Sequence, residues 1–307
     1  MIGKSAELRD LTSAVLGPPL MNCSNLVSEI ELRSLFDSFQ EKWNQLNADP
    51  LPLQKYLEEN TKRHRLGEYF ENLLRYFVLH AVHPKLSSFG LPIRDGKVTI
   101  GEFDLVFGDG KSAQHWEAAI KFYLCAADPT FARSFVGPET HDRLDLKMKS
   151  IFSKQLKLSQ NPVARKILSL LGFGEVSSSA LVRGVLFYPS DGSQSWKQHL
   201  FPDEISPQHL RGWWTPISEL KVPGLDLEAS TWVILPKARW ISSFYSKNKG
   251  LNRAELVELL QEQFKRTDHS TMVARIVWQD ELRAFVECDR GLIVRDSWLT
   301  EANSNKE

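Results

Sequence analysis

The sequence predicts an α/β protein with a smaller α+β module appended towards its C-terminal end. Three observations lead there. An apolar helical stripe is followed by glycine-punctuated strands, a second helix and a continuous apolar strand, an order of helix, two or three antiparallel strands, helix, strand. The composition, 42% hydrophobic and 25% charged over 307 residues, is that of a chain that packs a core, as one large domain or two ordinary ones. A turn-rich Asp191-Gly192-Ser193-Gln194-Ser195 then separates an aromatic-rich remainder. The expected domains are residues 25–190 and 191–307.

Element by element, residues 1–25 are mixed and end in the turn Gly17-Pro18-Pro19. Residues 28–46 have helical spacing, and 52–60 add a short helical turn. Residues 64–80 are the most periodic stretch. Leu66, Phe70, Leu73, Leu74 and Phe77 fall on one stripe that predicts burial. Glu71 borders that stripe, Glu68 faces nearly opposite into solvent, and His83-Pro84 ends the helix.

Residues 86–93 read as a short strand, Asp95-Gly96 as a tight hairpin turn, and 97–107 as a second strand ending at Gly108-Asp109-Gly110. Residues 114–124 form the next strand. Alternation puts His115, Glu117, Ala119, Lys121 and Tyr123 on one face, and Trp116, Ala118, Ile120 and Phe122 on the other. Residues 140–158 read as a helix with Thr140 at its N-cap and Leu144, Met148, Ile151 and Phe152 on its apolar side. Gln155 falls within that apolar side, and Arg143, Lys147, Lys154 and Lys157 line a second face. Residues 172–179 read as a loop, and 180–189 as a buried strand. Beyond the boundary come strands at 231–235, 271–278 and 282–288, the last two paired across Gln279-Asp280. A helix spans 252–266, and a polar tail begins near Thr300.

Net charge is zero, which argues against a general nucleic-acid-binding coat and leaves only a local basic face for such contacts. Cys23, Cys125 and Cys288 are widely spaced and match no metal motif, so buried thiols in a reducing, cytoplasmic setting are expected. The charged N-terminal stretch is neither a signal peptide nor a membrane anchor, and no membrane partner is expected. Signatures of P-loop NTPases, dinucleotide-binding folds, zinc proteases and α/β-hydrolases do not occur.

Two acids stand out by position. Asp104 lies late in one strand and Glu117 early in the next, with a glycine turn between them, so both carboxylates are expected at one end of adjacent strands. Paired hard oxygens suit Mg²⁺ or Mn²⁺, which activates water and neutralises phosphate charge. Lys121 shares the Glu117 face and supplies a cation for a developing oxyanion. Glu102, on the Asp104 face, is a reserve ligand.

The stretch GEFDLVFGDGKSAQHWEAAIK resembles the core of the PD-(D/E)XK, restriction-endonuclease-like nucleases. That resemblance implies a core with a central mixed sheet flanked by helices over 25–190, and metal-dependent hydrolysis of DNA or RNA. It assigns Asp104 and Glu117 to the metal and Lys121 to the reacting oxygens. Glu71, on the preceding helix beside Gly67, matches a glutamate that can join the metal site. Gln155 matches a glutamine of exonuclease-type members, whose following tyrosine is replaced here by Ser159. A strict Glu-x-Lys would put lysine at 119, where this chain has Ala119; Lys121 lies about 6–7 Å further along the same face. Dimers are common in that superfamily, so a homodimer is one implied assembly. Four blocks in order, GEYFENLLRYF, GEFD, HWEAAIKFYL and HDRLDLKMKSIFSKQL, also resemble a bacterial family known as domain of unknown function 1853, from about residue 30 onward.

Plainer readings stand beside these. The acids also fit ordinary sheet-edge carboxylates paired to Lys121. The basic stripe of Arg143, Lys147, Lys154 and Lys157 fits either a phosphate backbone or a solvated helix face. His115 fits a backbone-bonded strand residue, Gln155 a satisfied core amide, and Trp196, Trp213 and Trp214 fit core packing. The alternative to a nuclease is a non-catalytic nucleic-acid-binding or protein-interaction module that kept the fold.

Overall fold

The computed structural model describes residues 3–61, 65–225 and 230–304. Helices α1 (Ala6–Leu16), α2 (Glu29–Ser38), α3 (Gln40–Ala48), α4 (Leu51–Asn60) and α5 (Leu66–Ala81) come first, then strands β1 (Leu86–Asp95), β2 (Val98–Gly108) and β3 (Ser112–Cys125). A two-residue β4 (Phe135–Val136) precedes α6 (Leu144–Ser150), a π-helical turn (Ile151–Gln155) and α7 (Pro162–Leu170). There follow β5 (Glu175–Pro189), β6 (Leu210–Pro216), β7 (Thr231–Leu235), a short β8 (Tyr245–Ser246), α8 (Arg253–Arg266), β9 (Thr271–Gln279), β10 (Ala284–Val294) and α9 (Trp298–Ser304). Among the described residues this is a mixed α/β protein with a ten-stranded mixed sheet flanked by helices.

The chain divides into two compact units, Met1–Ile120 with Lys147–Arg183, and Lys121–Leu146 with Gly184–Glu307. The sequence predicts a single boundary near residue 190. The units interleave instead, because β3 and β5 each contribute residues to both.

In the first unit the strand order is β1-β2-β3-β5. β1 and β2 pair antiparallel from Leu86↔Gly108 to Asp95↔Val98, and β2 and β3 from Leu105↔Trp116 to Gly108↔Ala113. On one side Ile93, Phe103, Val106 and Ala113 pack with Leu158, Ala164, Leu168 and Phe173. Gly101 permits this approach, since a Cβ there would lie 3.0 Å from Leu158. The N-terminal helices form a separate packed group, with Phe39 edge-on to Phe77 at 5.3 Å. Buried Arg183 donates to the last carbonyls of α1, Ala14 and Val15, which satisfies orphan acceptors of that helix end.

In the second unit β5, β6 and β10 pair in parallel, and β10-β9-β7 continue antiparallel. Asn252 and Glu255 form a capping box that starts α8. Trp213 and Trp214 are buried and donate to Asp289 and to the Cys125 carbonyl, and Trp196 is buried too, so all three are core residues.

Several elements differ from the sequence expectation. The 28–46 helix is two, α2 and α3, broken at Phe39. α1 stands where only a mixed segment is expected; Ser5 caps it and Leu8, Leu11, Ala14 and Val15 are its buried stripe. The 52–60 turn is a full helix, α4. The 64–80 helix is α5, and His64 lies outside the described residues. Glu68 is half-buried, not solvent-facing. The 140–158 helix starts only at Leu144, and Thr140 is no N-cap: it sits in a turn with φ +60°. The 172–179 loop is largely the first half of β5. The β9–β10 turn runs through Arg283, at φ +48°, and β10 continues to Val294. The tail from Thr300 is helical through Ser304, held by buried Trp298 and Ala302, and its last three residues lie outside the described ones. Cys288 is exposed and Cys23 half-buried, so of the three thiols only Cys125 is buried as expected.

Candidate active site

The antiparallel register of β2 and β3 decides which side chains meet. Its last backbone pair on this side is Leu105↔Trp116, and one further step sets Asp104 opposite Glu117. There the Asp104 carboxylate accepts the Ala118 N–H at 2.9 Å. The two carboxyl groups are close neighbours, and the charge of Asp104 acts on Glu117. Strand alternation in the sequence thus places this pair correctly on one face.

Glu117 is enclosed, its side chain 1% exposed. Burial, then the charge of Asp104, pushes its carboxyl up to about 9. Burial also raises Asp104, against the lowering effects of the Ala118 N–H and of neighbouring Glu117. The pair therefore binds a proton more tightly than two separate carboxyl groups would. Glu117 Oε1 meets the Lys147 ammonium at 3.4 Å, whereas Oε2 is buried without a hydrogen-bond partner.

The amine at this pair is Lys147, from α6. Lys121 is committed elsewhere: its ammonium lies 2.5 Å from Asp142, which also accepts the Tyr123 hydroxyl at 3.2 Å. Lys147 also donates to Gln155 Oε1 at 3.4 Å, and Ser150 reaches the same oxygen at 3.5 Å. The π-helical turn explains this meeting. In a continuous α-helix residues eight apart lie roughly 80° apart around the axis, and one extra residue in a wide turn nearly cancels that offset. The Leu156 N–H donates to the Ile151 carbonyl at 2.9 Å, the i to i+5 bond of that turn.

Glu71 of α5 is held by Arg75 at 2.8 Å. Burial, then the negative charge of Asp104, pushes it up to about 7, so it belongs to the electrostatic surroundings of the pair. Arg75 also donates to Asn72, which stabilises its position. Glu102 is exposed. Among the described residues no three His, Cys, Asp or Glu side chains gather closely enough to hold a metal ion between them.

The basic stripe breaks up. Lys147 turns inward, Arg143 pairs bidentately with Asp145, and Lys154 and Lys157 are exposed. His115 is fully buried and bonds Ser178 Oγ at 3.1 Å, not a backbone group. Burial pushes its imidazole down to about 4. Sequence reasoning misses Lys147 as the amine of the site and Ser178 as a partner. The clue to Lys147 is Gln155 eight residues on, legible only if the helix widens between them.

A family model described as domain of unknown function (DUF1853) matches residues 9–294. The chain belongs to that family. The match includes every residue of the Asp104–Glu117–Lys147 cluster. No curated protein and no solved structure matches the chain. No helix among the described residues is long and apolar enough to cross a membrane.

Proposed function

We propose that this chain is a Mg²⁺- or Mn²⁺-dependent phosphodiesterase acting on DNA or RNA, built on a PD-(D/E)XK, restriction-endonuclease-like core. The observation that carries the reading is the Asp104–Glu117 pair, Asp104 half-buried and Glu117 fully buried, with Glu117 Oε2 left without a hydrogen-bond partner. A cation bound by two carboxylates forced together would displace their shared proton into solvent and relieve their repulsion. The donor set fits Mg²⁺, which takes one or two carboxylates and completes its shell with water and substrate phosphate oxygens. Asp104 and Glu117 would hold it. Such an ion supplies a water nucleophile and neutralises phosphate charge.

The remaining roles belong to the chain's own groups. Lys147, rather than Lys121, stabilises charge on the attacking or leaving oxygen, because its ammonium already faces Glu117. Gln155 holds that ammonium in place. Glu71 adds negative charge that favours cation entry once it ionises. For the polyanion, residues 146–174 carry Lys147, Lys149, Lys154, Lys157, Arg165 and Lys166 and no Asp or Glu. This local excess supplies what zero net charge denies the whole chain.

Calorimetry with Mn²⁺ on the wild type, Asp104→Ala and Glu117→Ala tests the site. Binding of about one ion per chain, lost in both variants, is expected. Cleavage of single- and double-stranded DNA and RNA, with Mn²⁺ against chelator, tests the activity. Binding that survives both substitutions would remove the reading. One observation favours a second reading, a nucleic-acid-binding module without chemistry: no third ligand stands beside the pair among the described residues. It predicts metal-independent binding with no cleavage.

A further inference from the structure

Of the nine tryptophans, eight are at most 5% exposed. The ninth, Trp278 on β9, is 48% exposed. A single exposed apolar residue is ordinary, but here a second ring and a group of cations stand beside it. The setting of the indole is fixed. Its N–H donates to Asp280 Oδ1 at 2.8 Å, and its ring meets Phe285 edge-on at 5.2 Å and 67°. With its one donor satisfied, the indole offers a π-face to the outside.

Strand pairing sets the cations. Trp278 pairs with Phe285 on β10, and Phe285 pairs with Ser246 on β8, so the three lie in one row on one sheet face. That row spans two strand spacings, about 9–10 Å. Just after Ser246 come Lys247 and Lys249, both exposed and neither paired with an acid among the described residues. The Asn248 N–H, bonded to Ser246 Oγ at 2.9 Å, holds their turn. They belong to a second acid-free stretch: residues 230–254 carry Lys237, Arg239, Lys247, Lys249 and Arg253 and no Asp or Glu. The β9–β10 turn adds exposed Arg283, and its two acids are Asp280, which holds the indole, and exposed Glu281. All these residues lie in the second unit.

We propose that Trp278 and the Lys247–Lys249 turn form a docking surface for single-stranded nucleic acid, with the indole stacking on a base and the lysines meeting backbone phosphates. A fixed aromatic face beside unpaired cations suits such a strand whatever its sequence, because every base has a π-face. A duplex keeps its bases stacked on one another and presents only its phosphates here. The lysines, lacking acid partners, complement a polyanion rather than a second copy of this neutral chain. This inference rests on the nucleic-acid part of the reading above and not on the metal.

Fluorescence anisotropy of a labelled oligothymidylate strand, in chelator, tests it for the wild type, Trp278→Ala, Trp278→Phe and the pair Lys247→Glu with Lys249→Glu. Trp278→Ala is expected to bind about 5–100-fold more weakly, the range for losing one stacked base, and Trp278→Phe close to wild type. The lysine pair should lower the slope of log K against log salt by about 0.7 for each phosphate no longer neutralised. The strand should quench tryptophan emission of the wild type, and Trp278→Phe should lose that quench because the other eight indoles are buried. Strand affinity unchanged in Trp278→Ala, no strand binding by the wild type, or equal losses for strand and duplex would each overturn the inference. So would a wild-type dimer, seen by analytical ultracentrifugation, that Trp278→Ala dissociates while strand binding persists. Mn²⁺ calorimetry on Asp104→Ala and Glu117→Ala decides the metal site separately. Strand binding without an Mn²⁺ site leaves this surface standing and removes the hydrolysis; an Mn²⁺ site without strand binding does the reverse.

Discussion

Two lysine–carboxylate pairs, one in each unit, differ in a way that ranks them opposite to their distances. Lys121–Asp142 is the shorter, at 2.5 Å, with side chains 29% and 41% exposed. Lys147–Glu117 is longer, at 3.4 Å, with side chains 18% and 1% exposed. Water reaches the first pair and screens it, so its ionic strength is modest however close the atoms. Glu117 is cut off from water and crowded by Asp104, so its protonation, and the demand for positive charge, is set by the protein. Burial, not the length of the ion pair, marks the group whose protonation the protein controls.

Exchanging the roles of the two lysines would break this comparison most directly. Lys147→Met is expected to lower kcat for metal-dependent cleavage by about 10²–10³-fold, the range for removing one preorganised stabiliser of transition-state charge. Lys121→Met is expected to leave kcat near wild type. Single-turnover cleavage of a labelled oligonucleotide measures both. The reverse result would return the role to Lys121 and make Lys147 a structural partner of Glu117.

A second prediction sharpens the comparison through pH. Burial, then the charge of Asp104, pushes the Glu117 carboxyl from its ordinary value of about 4.5 up to about 9, so the fold binds this proton more tightly than the unfolded chain does. Its contribution is fully present below about 4.5 and is lost as pH rises towards about 9. Glu71, raised to about 7, adds a loss of the same sign between about 4.5 and 7. Glu117→Gln keeps the neutral shape, so it should raise Tm by several degrees at pH 8 and leave it little changed at pH 4. Thermal melts in chelator across that range check it. Parallel pH profiles for the two proteins would mean Glu117 is ionised in the fold.

How far the sequence foretells these pairs depends on how local each determinant is. Asp104 and Glu117 are legible because strand alternation and a short glycine turn fix the facing of both residues. Lys147 is not. Regular spacing over a continuous helix at 140–158 groups it with Arg143, Lys154 and Lys157, and the late start at Leu144 and the wide turn at Ile151–Gln155 undo that spacing. β6 escapes detection because both faces of Trp213-Trp214 are buried, which erases the alternating pattern. α7 has a local signal, Asn161 as cap and Pro162 in first position, but only nine residues in which to show a period. The interleaved units cannot be read at all, because they depend on where β3 and β5 pair.

A smaller effect is expected at Lys154 and Lys157, exposed lysines of the acid-free stretch. If that stretch meets a phosphate backbone, Lys154→Glu with Lys157→Glu weakens nucleic-acid binding at every sequence. The slope of log K against log salt should fall by about 0.7–0.9 for each phosphate no longer neutralised. Fluorescence anisotropy at several salt concentrations reads the slope. An unchanged slope would leave these lysines as a solvated face.

The smallest effect belongs to the shorter pair, and two substitutions divide it. Asp142→Asn removes the charge that holds Lys121 but keeps an oxygen for the Tyr123 hydroxyl. With both charged groups partly in water, its expected cost is within about 1 kcal/mol in urea denaturation. Asp142→Ala also strips the acceptor from Tyr123, a residue with no exposed surface, and should cost about 1–3 kcal/mol more. Asp142 would then serve mainly as the acceptor for a buried hydroxyl, with Lys121 a secondary occupant of the same oxygen. Equal losses in the two variants would put the stabilisation in the ion pair instead, and the contrast between a screened pair and an enclosed one would have to be redrawn.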